Sequence, residues 1–382
     1  MNIGIIGAGI LGMCAAHELG RRGHNVVVFE RDEPFTGASG RSFAWLNANR
    51  KRPWAYYDLN RRGIEAHAEL AEEFSEYGEW FRLSGSILID FSDDFEQTYE
   101  SRYRESISRG YPVVKINEAE LARLEPQIAG NCRVSSALYF PSEAHLEADQ
   151  FAAFLSRRLN ELSISVLHCD VVRVEPTRNR VRVEGESVSR RFDKVLICSG
   201  EWSDDLAQSF GARIYLANTR VPSQLTHSFL GVSEPVGDLV RRVIVSDRLN
   251  VRPMHAGRLL IQAPKMESLA SRSASLRVFA EVREAMEREL FRLFGSRISV
   301  DDIILSSRSL PQDGRSISGF LNAERNIYGL VTHSGMTLAP LFSRLVANEL
   351  EGIPQPLLED FRPQRFRDGV GELQSGEFIG KQ

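Results

Sequence analysis

The residues best suited to chemistry stand at the start of the chain. Gly7-Ala8-Gly9-Ile10-Leu11-Gly12 follows the apolar run Asn2–Ile6, and a second apolar run, Val26–Phe29, ends on Glu30. Three glycines at this spacing suit one task, the approach of backbone to a pyrophosphate. Gly7 permits the tight turn, Gly9 carries no side chain to hold the backbone away, and Gly12 lets a helix pack closely on the preceding strand. A helical stretch follows from Met13, the amides at its N-terminus face the phosphate charge, and Ile10 and Leu11 in the turn before it are cofactor-binding candidates. Glu30 accepts hydrogen bonds from ribose hydroxyls, and Arg31 belongs to the same surface. Strand, glycine turn, helix, strand and acid occur in the required order.

These residues need elements to hold them. A chain of 382 residues suits two domains, or one domain with an insertion, and buries about three quarters of its unfolded surface without staples. The net charge of −4 and the pI near 6.1 argue against a nucleic-acid footprint. Basic runs such as Arg50-Lys51-Arg52 and Arg61-Arg62 read as solvated faces. Cys14, Cys132, Cys169 and Cys198 form no CxxC, no pair has metal-ligand spacing, and no metal is expected. Such usage fits a reducing compartment, and Met1 leads into a core strand with no charged leader, so a cytoplasmic location and no membrane span are expected.

Along the chain, helices are predicted over 13–22, 54–81, near 93–109, 117–124, 147–162, 272–294 and 337–350. Strands are predicted over 86–91, 138–141, 164–167, 170–175, 180–184, 193–198 and 326–331, with a mostly antiparallel sheet over 214–262. His145 with Glu147 or Asp149 reads as a capping cluster for the helix after it. Dinucleotide-binding segments therefore sit at the start, middle and end, with a β-rich unit between them. A nicotinamide dehydrogenase keeps its nucleotide fold in one stretch; interleaving points to flavin.

Four stretches now resemble the D-amino-acid oxidase, glycine oxidase and sarcosine oxidase family of flavoproteins over roughly 1–365. They are the glycine unit ending at Glu30; Gly37-Ala38-Ser39-Gly40-Arg41-Ser42; Asp193 to Trp202; and Arg308 to Gly319 followed by His333-Ser334-Gly335-Met336-Thr337-Leu338. The resemblance implies an α/β fold in which a Rossmann-like FAD-binding domain, of the glutathione reductase or p-hydroxybenzoate hydroxylase type, is interleaved with a β-rich antiparallel-sheet substrate domain. The division expected is 1–50, 146–212 and 313–365 for FAD, 51–145 and 213–312 for substrate, and 366–382 as a polar, poorly ordered tail. It implies FAD contacts from Ser39, Arg41, Ser42, Val171, Gly200, Trp202 and Arg308, with Arg41 either neutralising cofactor charge or reaching the substrate, and from the amides of Gly335, Met336, Thr337 and Leu338 at a helix start.

It also implies that Arg308 holds a substrate carboxylate, since a planar guanidinium grips both oxygens; the alternative is pairing with a structural acid such as Asp313. His333 touches ring or substrate, or packs beside its strand. Phe43, Trp45 and Asn47 line the substrate cavity or pack at the domain interface. Two departures carry meaning. Ser306 stands where sarcosine-oxidase-like members attach flavin through a cysteine, so the FAD is expected to be non-covalent. The strand Arg258–Ile261 has leucine where those members carry a lysine that activates oxygen, which leaves the acceptor open between oxygen and another partner.

The function expected is oxidation of the C–N bond of an amino acid or related primary or secondary amine to an imine, by hydride transfer to flavin N5. The alternatives are an FAD-dependent dehydrogenase of a hydroxy acid or biosynthetic intermediate, and a flavin-bound assembly factor with little turnover.

Overall fold

The computed structural model describes residues 1–89, 95–129, 136–186, 188–272 and 275–366. Phe91, Cys132 and the tail beyond Phe366 lie outside the described residues.

The short valine- and isoleucine-rich runs form the layer beneath the glycine turn. A six-stranded sheet runs in the order Ile317–Phe320, Ile327–Val331, Lys194–Ile197, Asn2–Ile6, Asn25–Glu30, Ser165–His168. All neighbours are parallel except Ile317–Phe320, which returns antiparallel on Ile327–Val331. Parallel strands must be covered on both faces. On one face lie the helices Ile10–Arg21, Ala148–Glu161 and Gly335–Leu350, sharing a core of Ile3, Ile5, Leu19, Phe151, Phe342 and Val346. On the other, the antiparallel sheet Val171–Pro176, Val181–Gly185 and Ser189–Phe192 packs through Val174, Val181, Val183 and Phe192 onto Phe29 and Val195. The fold is thus α/β with a Rossmann-like layer whose strands come from separate stretches of chain.

The second layer is an eight-stranded sheet in the order Val300–Ser307, His227–Ser233, Arg258–Gln262, Asn250–Met254, Val243–Val245, Ser86–Leu88, Ser136–Phe140, Val114–Asn117. It is antiparallel except between Val243–Val245 and Ser86–Leu88. The helix Leu276–Phe294 seals one face with Val282, Met286 and Leu290. Phe43, Tyr57, Leu230 and Leu260 share a cluster that joins this sheet to the helix Trp54–Glu73.

Sequence expectations differ from the fold in instructive places. The helix expected over 54–81 ends at Glu73, because the chain tightens into a 3₁₀ turn, Ser75–Tyr77, and Gly78 turns away at φ 120°. The helix expected from 272 begins at Leu276. Val300–Ser307 was not expected as a strand: Asp301 and Asp302 are exposed on it, which its position at a sheet edge permits. The short helix Ser203–Gln208 was also missed. Of the expected capping cluster, Asp149 stands in the first turn of the helix Ala148–Glu161, while Glu147 occupies the cap position without a side-chain bond to the helix. Its carboxylate lies instead between His145, Arg252 and His255. No helix among the described residues is long and apolar enough to cross a membrane.

The last helix is pinned by a buried carboxylate. Glu349, 3% exposed, accepts from Tyr328 Oη at 2.6 Å and from both terminal nitrogens of Arg362 at 2.7 and 2.6 Å. Removing one partner of such a group strands the others. Glu349→Ala is therefore expected to lower the unfolding free energy by about 3 kcal/mol, while Glu359→Ala, at an exposed pair with the same arginine, stays within about 0.5 kcal/mol of wild type. Urea denaturation followed by circular dichroism checks both.

Candidate active site

Between the two layers lies one cavity of about 640 Å³, bounded by the glycine turn, the 36–47 loop, the ends of Lys194–Ile197 and Val300–Ser307, and the start of the last helix. Close packing at Gly7 and Gly12 creates its floor. Gly7 has φ +102°, and a Cβ there would meet the Cys198 carbonyl oxygen at 2.6 Å; a Cβ on Gly12 would lie 1.9 Å from the Gly7 carbonyl oxygen. The strand end, the helix and the neighbouring strand are therefore in backbone contact. Glu30 holds the turn from the side: its oxygens accept from the amides of Ala8 at 2.6 Å and Asp32 at 3.0 Å. Ser39 Oγ accepts from the Ile10 amide at 2.9 Å, so an oxygen acceptor sits at the helix start, where a phosphate oxygen suits the same field.

A dinucleotide fits these walls. Neither the helix starting at Ile10 nor the one starting at Gly335 is capped by the side chain of the residue before it, and both N-termini open on the same cavity. Val171 and Trp202 line its outer end, where the Arg31 guanidinium stacks 4.7 Å over the Trp202 ring. Of the residues expected to bind, Gly7, Gly9, Ile10, Leu11, Glu30, Arg31, Ser39, Arg41, Ser42, Val171, Gly200, Trp202, Arg308, His333, Gly335, Met336 and Thr337 all line this space. Gly12 and Leu338 do not. Gly12 stands behind the turn, and Leu338 points to Gly63 on the neighbouring helix. The amides of Thr337 and Leu338 donate to the Ser334 carbonyl, so within that first turn the Gly335 and Met336 amides are the ones left at the cavity edge.

The turn before the last helix is held from several sides. Tyr56 Oη and Ser334 Oγ are 2.7 Å apart, Ser334 N donates to Thr332 Oγ1 at 3.1 Å, and Ser316 Oγ donates to the same oxygen at 2.8 Å. His67, uncharged because burial lowers its pKa to about 4, bonds the Met336 carbonyl through Nε2 at 2.6 Å. His333 sits at this turn, and burial, with the nearby charges of Lys51 and Arg308, holds it well below the ordinary histidine range. It faces the cavity as a neutral imidazole.

Arg308 follows the edge strand Val300–Ser307. Its acid partner is Glu267, not Asp313, which binds Arg365 and Arg315 instead. Glu267 is itself oriented by a chain of hydrogen bonds across the large sheet. Asn250 donates to Gln262 at 3.2 Å, Gln262 to Ser228 Oγ at 3.1 Å, and Ser228 to Glu267 at 2.7 Å. Ser306 donates its hydroxyl to the Arg41 carbonyl, joining the sheet end to the 36–47 loop. Phe43, Trp45 and Asn47 all line the cavity.

Several residues here escaped the sequence reading. Glu267, Asn250, Gln262 and Ser228 had no signal beyond being polar residues in a β-rich stretch. The sequence suggests a solvated basic run around Lys51; Arg50 and Arg52 are exposed, but Lys51 is 4% exposed and lines the cavity. Glu143, fully buried, accepts from Trp45 Nε1, Ser86 Oγ and Tyr111 Oη, and burial pushes its carboxyl up to about 7. Away from the cavity, ligand atoms of Glu147, Asp149 and His255 lie within 4.8 Å of one another, a grouping the sequence spacing concealed. Arg252 beside Glu147 makes it an ion-pair cluster.

Comparison with known proteins agrees with this geometry. A family model described as FAD dependent oxidoreductase matches residues 2–349. A glycine oxidase from Geobacillus kaustophilus is 24% identical over 362 residues, 92% of this chain and 93% of that protein. A glycerol 3-phosphate dehydrogenase from Caloramator mitchellensis is 24% identical over 400 residues, 95% of this chain and 77% of that protein. The crystal structure of the Geobacillus kaustophilus enzyme superposes with a TM-score of 0.83 at 19% identity, covering 97% of this chain and 99% of that one.

The contact at Gly12 leaves no room for even a methyl group. Gly12→Ala is expected to push the helix off the strand and weaken dinucleotide retention at least ~10-fold, the equivalent of about 1.4 kcal/mol. Cofactor content after gel filtration, read by absorbance, checks this.

Proposed function

Because the chain belongs to the family of FAD-dependent oxidoreductases, an enzyme family, we propose that it oxidises the C–N bond of an amino acid or related amine to an imine. The observation that carries this reading is the placement of Arg308 and His333 on one cavity with the glycine turn and the start of the last helix. Bound FAD supplies the two-electron acceptor for the hydride that leaves the substrate carbon. The glycine turn and Glu30 would hold its dinucleotide part, and the Gly335 and Met336 amides its ring end.

The chain's own residues then have distinct tasks. Arg308 receives the substrate carboxylate, its fork oriented by Glu267, which the Ser228–Gln262–Asn250 chain keeps in place. His333, kept neutral, offers the amine a hydrogen-bond partner without adding a repelling charge. Holding the uncharged amine in one orientation supplies much of the effect, and no strong base is needed. The substrate must bind or become neutral at nitrogen, so turnover at low substrate rises with pH as the ammonium loses its proton.

Other features support the finer expectations. Ser306 has its hydroxyl committed to Arg41, and burial pushes the thiols of the cavity-lining Cys169 and Cys198 up, so neither is a ready thiolate; this supports non-covalent FAD. The described cysteines are free, in keeping with a cytoplasmic location. Residues 1–50, 146–212 and 313–365 form the cofactor domain in this reading, and 51–145 and 213–312 the substrate domain. The similarity to a glycerol 3-phosphate dehydrogenase favours a second reading, oxidation of a C–O bond, with the same cofactor groups.

An anaerobic titration of the holoenzyme with D-, L- and N-methyl amino acids, and with glycerol 3-phosphate, separates the two. Bleaching of the visible flavin band by an amine is the expected outcome; bleaching by the alcohol alone overturns it. Readmitting air then distinguishes oxygen from another acceptor. Arg308→Lys retains charge but loses the fork. It is expected to raise the substrate's apparent dissociation constant ~10- to 100-fold, about 1.5–3 kcal/mol for hydrogen bonds to a charged group, with FAD still bound.

A further inference from the structure

The substrate end of the cavity holds two cations in unlike situations. Arg308 has Glu267 as an ion-pair partner. Lys51 has none: it makes no ion pair within 4.0 Å and no side-chain hydrogen bond among the described residues. It is nevertheless buried and lines the cavity. Asn47, on the same segment, lines the cavity too, and its Oδ1 is buried with no hydrogen-bond partner. That oxygen is an acceptor, and the Asn47 amide nitrogen donates to the Trp45 carbonyl at 3.4 Å, so Asn47 suits a donor such as an ammonium and leaves Lys51 as the group at this wall that attracts an anion. Buried polar groups are normally paired, and a buried ammonium without a counter-ion is among the costliest exceptions.

The wall is built, not loose. Lys51 N donates to the Ala48 carbonyl at 3.2 Å, the Lys51 carbonyl accepts from Arg109 at 2.7 Å, and the Ala48 amide donates to Tyr111 Oη at 3.2 Å. The carboxylate whose charge acts on Lys51, Glu143, spends its oxygens on Trp45, Ser86 and Tyr111. The protein thus holds a lysine at the cavity with its neighbouring acid already engaged.

We propose that Lys51 is the anchor for a second anionic group on the substrate, so that the enzyme selects amino acids bearing an additional carboxylate on the side chain or on nitrogen. The assignment rests on the amine-oxidation reading, in which Arg308 takes the first carboxylate. A single-acid substrate satisfies the compensated arginine and leaves the lysine bare; a diacid satisfies both.

The test uses FAD-loaded enzyme and two probes that cannot be oxidised, propionate and succinate, with binding read from the perturbed flavin spectrum. Wild type is expected to bind succinate at least tenfold more tightly than propionate. Lys51→Met should weaken succinate at least tenfold and propionate less than twofold, and Lys51→Arg should restore most of the difference. Equal loss for both probes, or loss for neither, overturns the proposal. So does a changed flavin midpoint potential with unchanged ligand preference, which assigns Lys51 to the cofactor.

If Lys51→Met does not fold, wild type decides through pH. Burial brings the lysine down to about 8, so it is protonated below that pH and loses its charge above it, later when an anion is bound. The groups facing it are Glu143, which titrates near 7 and is already ionised in this window, neutral His333, and the Arg308–Glu267 pair; Arg109 meets its carbonyl, and Arg50 and Arg52 on its own segment are exposed. The succinate preference should fade between pH 8 and 10 while propionate affinity holds; a preference flat across that range overturns the assignment. Failure of amine oxidation shows separately, as a flavin that no amine bleaches, because these binding measurements need no turnover.

Discussion

Backbone contact at the glycine turn is the constraint on which the rest depends. The carbonyls of Gly7 and Cys198 stand where Cβ atoms on Gly12 and Gly7 would be, so two parallel strands and a helix meet with nothing between them. That closeness places the amides at the start of the Ile10 helix within reach of a pyrophosphate. It also brings the last helix close: a Cβ added at Gly335 would lie 3.4 Å from the Ile10 side chain. Two helix N-termini thus converge on one cavity, and their dipoles make it a seat for negative charge at both ends.

Around this seat the molecule uses buried carboxylates as positioning devices. Glu349 ties Tyr328 and Arg362 to the last helix, Glu267 orients Arg308, and Glu143 gathers Trp45, Ser86 and Tyr111 behind the 43–51 segment. Each takes several donors, which offsets the cost of burying it. Glu349 and Glu267 also hold an arginine, so their charge is compensated. Glu143 stands apart: among the described residues no cation lies within ion-pair distance, burial raises its carboxyl to about 7, and Lys51 lines the cavity.

The interleaved layers explain how a small set of local motifs becomes a site. Strands from separate stretches enter the six-stranded sheet, while the eight-stranded sheet stands across the cavity from the glycine turn. Ser306 and Arg41, distant in the chain, are joined by a hydrogen bond where the two layers meet. The cavity is a product of that meeting: neither sheet encloses it alone.

The amino-acid sequence by itself determined the glycine turn, the acid at the end of the second strand, the interleaved α/β plan and many of the residues that line the cavity. These are written locally, as glycines that exclude a Cβ and as short continuous runs of valine and isoleucine fit for strands covered on both faces. Tertiary structure decided which polar residues face one another. Glu267 rather than Asp313 meets Arg308, Glu147 turns from its helix to Arg252, and the middle residue of Arg50-Lys51-Arg52 goes inside while its neighbours stay out. An ion pair or a buried lysine depends on packing between segments far apart in the chain. No periodicity or propensity records that distance, so only the folded molecule could set it.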